Sequence, residues 1–289
     1  MTAPLRLRVE QTAPLRAEVE HNRIDLQARL DAQAASASPE APALLAFPEL
    51  ALTGYDLGAR TRELALSTDA PPPLSPPRGV TALLGFPELA ADGRVFNAAG
   101  AIRDGAWIHR YRKCFLPTYG SFDEGRFFAP SRDGPDLFEA APGWRVATLI
   151  CEDLWHPSLT YLAALRGADL VVVLAAVPGR GVDGPDRFAN LATWHQIAVA
   201  LALFHQIWVV VANRAGVERG LTFAGGSFVV APDGACVASL PADADLSLDL
   251  TLDPEAVARA RRPGSHLRDE DGTLLHAALG RLLHPVHGG

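Results

Sequence analysis

Cys151, Glu49, Lys113 and Glu124 are the residues whose types and settings could do chemistry together. A cysteine attacks as its thiolate, so it needs a base to take its proton or a cation to hold its charge. Cys151 follows the apolar run RVATLI and precedes Glu152-Asp153. That sets it at the C-terminal end of a buried strand leading into a helix, where open α/β sheets form their ligand crevice. A free cysteine also serves simply as core, and the residues alone leave both roles open. The adjacent acidic pair weighs against packing alone. Glu49 ends another apolar run, in LLAFPELALTGY, just after a proline that stops strand pairing. A carboxylate there must be hydrogen-bonded, paired or functional; a loop or helix-start cap is the plainer alternative. Glu124 lies in LPTYGSFDEGRFF, where aromatic neighbours would desolvate a carboxylate and raise its pKa. Its plainer alternative is a solvated turn charge.

Composition singles out Lys113. Lys and Arg together number 26, and Lys113 is the only lysine. A chain that writes its other cations as Arg has little use for Lys as a solvated charge. The two differ physically: ammonium is a compact point charge whose pKa shifts readily, whereas guanidinium is a wide planar fork that stays charged. A tight pocket needing one close-range cation would select Lys. Survival at a surface position is the alternative.

These residues need elements to hold them. LRLRVEQ (5–11) alternates as a strand, and its arginines make it an edge candidate. Residues 14–35 carry apolar residues at helical spacing. ALLAFPE (43–49) and VTALLGFPE (80–88) read as buried strands; their shared FPEL, at 47–50 and 86–89, reads as coincidence of two strand ends. Residues 94–113 read as two strands turning at Arg103-Asp104-Gly105. RVATLICED (145–153) is a strand followed by a helix through 157–166, and 168–177 a strand buried on both faces. A helix over 187–206, a strand over 207–216, a hairpin around Pro232-Asp233-Gly234, a strand over 246–252 and a short helix over 254–262 complete the list. About ten strands and four helices indicate a layered α/β or α+β protein. The stretch APPPLSPP (70–77) reads as a surface loop, so residues 1–289 read as one domain with a core over about 5–252 and a tail over 263–289. The final HPVHGG is expected to be flexible.

With 289 residues, 48% apolar and 20% charged, the chain is long enough for a substantial core and ordinary in composition. A net charge of −7 argues against nucleic acid or an anionic membrane as partner. Three widely spaced cysteines form no disulfide framework and fit a reducing compartment. The N-terminus has no signal-type apolar segment, and the longest apolar stretch, 197–212, is broken by His205 and Gln206. A cytoplasmic protein is the expectation. No phosphate-loop, dinucleotide or serine-nucleophile motif is present, and His195 and His205, ten apart, share no helix face as a metal pair would, so no metal or cofactor is expected.

FPELALTGY, YRKCFLPTYGSFDEGRFF and LICEDLWHP, in that order, resemble the glutamate, lysine and cysteine motifs of the nitrilase (carbon–nitrogen hydrolase) superfamily, and ANRAGVE with FAGGSFVVAPDG continues the resemblance to about residue 252. Within the superfamily the motifs look most like the glutaminase domain of glutamine-dependent NAD synthetases. Where those domains carry Ser-Pro this chain has Val177-Pro178, with Arg180 able to supply a cation, and it carries no ATP-pyrophosphatase segment. The resemblance implies a four-layer αββα sandwich and no cofactor. It implies that Glu49 is the general base, Cys151 the nucleophile, Lys113 and the backbone N–H of Glu152 the oxyanion donors, and Glu124 the residue orienting Lys113. Tyr119 would line the pocket. Cys114 and Cys236 read as packing and inert. The function implied is hydrolysis of a small amide through a thioester. The alternatives are a glutaminase subunit feeding a separate synthetase, a nitrilase proper, or an inactive scaffold. Homodimers or higher homo-oligomers are the expected assembly.

Overall fold

The computed structural model describes residues 2–34, 37–38, 40–67, 69, 71–120, 122–181, 188–264 and 266–283. One sheet contains β1 (Leu5–Gln11), β2 (Ala43–Ala46), β3 (Leu66–Ser67), β4 (Val80–Leu89), β5 (Val95–Arg103), β6 (Ala106–Arg112) and β15 (Leu246–Leu252), in the order β15-β1-β2-β4-β5-β6 with β3 beside β4. The second contains β7 (Leu137–Ala141), β8 (Trp144–Ile150), β9 (Leu170–Ala175), β10 (Trp208–Asn213), β13 (Phe228–Val230) and β14 (Cys236–Ser239), in the order β14-β13-β10-β9-β8-β7. A small hairpin, β11 (Ala215–Glu218) and β12 (Leu221–Ala224), stands apart.

Side-chain alternation builds the layers. In the first sheet Leu5, Leu7, Val9, Leu44 and Ala46 face the second sheet, while Ala43, Leu45, Phe47, Val80 and Ala82 face helix α1 (Val19–Asp31) through Leu26 and Leu30. The far side of the second sheet is covered by α2 (Pro157–Leu165) and α3 (Ala189–His205), through Leu159, Ala163, Ala198 and Leu201. The result is an αββα sandwich. Helices α4 (Glu255–Arg261) and α5 (Gly272–Leu283) follow, so the segment read only as a tail holds a helix; residues 284–289, expected to be flexible, lie outside the described residues.

Several expectations are corrected. β1 is no edge strand: it lies between β15 and β2. Its arginines are tolerated because they are paired, Arg8 with Glu10 and Asp249, while Arg29 of α1 also reaches Glu10 at 2.9 Å. β7, β3, the β11–β12 hairpin and α5 have no counterpart among the elements expected from sequence; each strand among them is five residues or fewer, too short for a periodic pattern. The β5–β6 turn falls at Asp104-Gly105 as expected, with φ of 52° and 75° at the two central positions. No helix among the described residues is long and apolar enough to cross a membrane.

Candidate active site

Glu49, Lys113 and Cys151 all lie just past the C-terminal ends of strands: three residues beyond β2, and immediately after β6 and β8. The turn holding Glu49 is pressed against β4. A Cβ on Gly85 would lie 2.4 Å from the Leu50 nitrogen and 2.9 Å from the Glu49 Cα, so only glycine allows this approach. Leu50 has a positive φ of 51°. Lys113 is fixed from β5: its backbone N–H donates to the Asn97 carbonyl at 2.9 Å.

The side chains then meet. Lys113 is fully buried, and its Nζ lies 2.8 Å from Glu49 Oε1 and 2.8 Å from Glu124 Oε1. Asn97 Nδ2 donates to the same Glu49 oxygen at 2.7 Å, and the Tyr55 hydroxyl donates to Glu124 Oε1 at 2.5 Å. The second oxygens of both carboxylates are buried without a hydrogen-bond partner among the described residues. Burial alone would push the Lys113 ammonium down; the Glu124 and Glu49 carboxylates outweigh it and hold it well above the usual lysine range. Burial raises Glu124, opposed by Lys113 and reinforced by Glu49. Tyr55 is raised well above the usual tyrosine range by burial, then by Glu124 and Glu49.

Cys151 is 5% exposed and has a φ of 47°, a left-handed conformation that a non-glycine residue adopts at a cost of about 1–3 kcal/mol. Burial pushes its thiol well above the ordinary range; Glu49 adds to this, while Lys113 and a backbone hydrogen bond from Ala176 pull the other way. The resting group is therefore a neutral thiol.

Asp153 was passed over in the sequence except as half of an acidic pair. The two acids part company. Asp153 is fully buried and accepts hydrogen bonds from the Tyr111 hydroxyl (2.8 Å) and the backbone N–H groups of Cys114 (3.1 Å), Phe115 (2.9 Å) and Ile150 (3.1 Å). It stitches the segment after Lys113 to the turn carrying Cys151. Burial pushes its carboxyl up to about 6 against the pull of Lys113 and these donors. Glu152 turns outward and accepts from the Tyr119 hydroxyl at 2.7 Å. Arg180 is exposed, 5.5 Å over the Phe122 ring, and a Cβ on Gly120 would lie 3.1 Å from its Nη2. Tyr119, Glu152 and Arg180 thus gather around one loop. Cys114 is half-buried beside Tyr111, its Sγ 3.4 Å from that hydroxyl, and Cys236 is exposed. Tyr55, Asn97 and Asp153 are the contributors that sequence reasoning missed; only their partners, 69, 48 and about 40 residues away in the chain, identify them. A cavity of about 380 Å³ opens beside Tyr55 and Glu124, walled by Phe122, Phe127 and Phe223; Cys151 does not line it.

The carbon–nitrogen hydrolase family matches residues 11–262. The chain is 32% identical over 233 residues to a "Hydrolase in pqqF 5'region" of Pseudomonas protegens, covering 78% of this chain and 77% of that protein. It is 34% identical over 224 residues to a glutamine-dependent NAD(+) synthetase of Thermotoga maritima, covering 73% of this chain but 36% of the synthetase; the chain thus spans about a third of that relative's length. Among solved structures, a CN-hydrolase superfamily protein of Xanthomonas campestris with an arsenic adduct in its active site superposes with a TM-score of 0.78 at 22% identity, covering 94% and 98% of the two chains. The αββα sandwich is accordingly of nitrilase type, and the chain belongs to the carbon–nitrogen hydrolase family.

Proposed function

We propose that the protein hydrolyses the C–N bond of a small amide through a thioester on Cys151. The observation that carries this reading is the buried Glu49–Lys113–Glu124 cluster with one Glu49 oxygen left open, electrostatically coupled to a strained, neutral thiol. Glu49 takes the thiol proton as Sγ attacks the amide carbon. The carbonyl becomes an oxyanion, held by Lys113 and the backbone N–H of Glu152. Glu49 returns the proton to the nitrogen, the C–N bond breaks, and ammonia leaves. Water then gives a proton to Glu49 while its oxygen adds to the thioester; Sγ departs, recovers that proton, and the carboxylic acid leaves, ionising in solution to the carboxylate as the released ammonia takes its proton. Glu124, with Tyr55 on the same oxygen, orients Lys113. Tyr119, Glu152 and Arg180 would meet the far end of the substrate.

A second reading has its own support. The similarity to glutamine-dependent NAD(+) synthetases, over about a third of their length, favours a glutaminase that hands ammonia to a separate synthetase. One experiment addresses both. Ammonia release is measured from short aliphatic amides, ω-amides and glutamine, with wild type and Cys151→Ala, and trapped acyl-enzyme is sought by intact mass. Release that depends on Cys151, with an acyl adduct at that residue, is expected, and the preferred amide separates the two readings. Ammonia release by Cys151→Ala at the wild-type rate would overturn both.

A further inference from the structure

The β11–β12 hairpin presents Glu218, 6% exposed, to the loop that carries Tyr55. Glu218 accepts from the backbone N–H of Tyr55 (3.1 and 3.2 Å to its two oxygens) and from that of Asp56 (2.5 Å). Gly54 makes the approach possible: with φ of 78°, a Cβ there would meet Glu218 Oε2 at 2.8 Å. Behind Glu218 stands Arg214, 1% exposed, its Nη1 2.9 Å from Glu218 Oε2 and its Nη2 donating to the Pro14 carbonyl at 3.2 Å. The Arg214 backbone N–H is anchored on the Ala175 carbonyl at the end of β9. Its guanidinium lies 4.0 Å over the Phe223 ring, which packs edge-on to the Tyr55 ring at 5.6 Å. A buried ion pair is weak support for stability, because desolvation offsets most of the attraction. What this pair does is fix position, from the cysteine-bearing sheet to the tyrosine that touches Glu124.

Resting on the amide-hydrolase reading, we propose that Glu218, held by Arg214, is a positioning residue for the reaction. It fixes the Tyr55 backbone so that the hydroxyl keeps Glu124 Oε1 in place against Lys113. Neither residue reaches the reacting atoms; both act through Tyr55.

A double-variant cycle of Tyr55→Phe and Glu218→Gln tests this, read by kcat and KM for ammonia release and by the pH profile of Cys151 alkylation with iodoacetamide. Each single variant is expected to lower kcat about 10- to 100-fold, the loss a misplaced catalytic group produces, with KM little changed. The double variant should be no slower than Tyr55→Phe, and both singles should move the alkylation profile to the same position. Additive losses, or a Glu218→Gln protein that is merely less thermostable with the wild-type alkylation profile, would overturn the proposal. Should Glu218→Gln not fold, Arg214→Lys, which keeps the buried charge, enters the same cycle with the same criteria. The alkylation also separates the two levels of inference. Wild-type Cys151 no more reactive than Cys114 sinks the hydrolase reading, whereas a reactive Cys151 indifferent to Glu218 sinks only the positioning role.

Discussion

Lys113→Arg separates the charge of the lone lysine from its shape. Lys113 is fully buried, and its Nζ holds two carboxylate oxygens at 2.8 Å each. Arginine keeps the positive charge, so the penalty of about 3–5 kcal/mol for stranding buried partners, expected of Lys113→Met, is largely avoided. What arginine adds is bulk: a planar fork where a single tetrahedral nitrogen stood. Overpacking of this kind costs about 1–3 kcal/mol. At about 2–4 °C per kcal/mol for a domain of this size, melting should fall by about 2–12 °C. Activity should suffer far more. A guanidinium spread between the two carboxylates holds its remaining N–H groups in a fixed plane away from the point where the ammonium stood, and losing one oxyanion donor is worth about 2.7–4 kcal/mol, or 10²–10³ in kcat. The assay is steady-state ammonia release beside a thermal melt, with Lys113→Met as the reference that loses both. A folded Lys113→Arg enzyme with kcat within about tenfold of wild type would refute the requirement for a compact ammonium.

Two groups outside the reaction, half-buried His109 and buried Asp153, give pH signatures of opposite sign. Burial pushes His109, stacked on Phe138, down to about 4. Its unfolded form binds a proton below about 6.5, so its contribution is present above that pH and is lost, by about 3 kcal/mol, as pH falls from about 6.5 to 4; melts of His109→Gln should lack this loss, and an unchanged acid limb would refute it. Asp153 runs the other way: with its carboxyl raised to about 6, the folded state holds the proton more tightly. Its contribution declines as pH rises from about 4 to 6, so the difference in melting temperature between Asp153→Asn and wild type should shift in favour of the variant across that window. For assembly, α5 buries no residue and leaves Leu274, Leu275, Leu279, Leu282 and Leu283 exposed, from 41% to 76%. Light scattering is expected to give a dimer or larger species, weakened by Leu279→Glu with Leu282→Glu; a monomeric wild type would refute this.

The layers and the placing of three chemical residues at strand ends were legible because both depend on local pattern. Apolar runs of four to ten residues announce buried strands, and the residue that breaks each run is displayed at its end. Pairing is a different matter. β1 looked like an edge because its arginines were read alone; Arg8 pairs with Glu10 of its own strand and with Asp249 of β15, and Arg29 of α1 joins it on Glu10, contacts that arrive only with the fold. Tyr55, Asn97 and the Arg214–Glu218 pair were equally silent. A tyrosine in a loop or an arginine after a strand has no local signature of function, and Glu218 lies 163 residues from the amide it holds. Glu152 and Asp153 show the limit most sharply. Adjacent and alike in charge, one is buried under four donors while the other meets Tyr119 at the surface.

The repeated FPEL tetrapeptide shows why the lysine matters. Both copies bury their glutamate: Glu49 is fully buried and Glu88 is 1% exposed. Both glutamates take a cation from the end of β6, where Arg112 and Lys113 are neighbours. Glu88 is closed off. Arg112 Nε takes Oε2 at 2.5 Å and Arg110 takes Oε1 at 3.3 Å, so each oxygen meets a guanidinium. Glu49 gives one oxygen to Lys113 and Asn97, and its other oxygen has no partner among the described residues, in a site to which Cys151 is electrostatically coupled. A carboxylate in the grip of two guanidinium groups is a structural anion; the same carboxylate held on one side by a single ammonium can still act as a base. On the proposed mechanism, the one lysine stands where a buried glutamate must keep an oxygen open to move a proton.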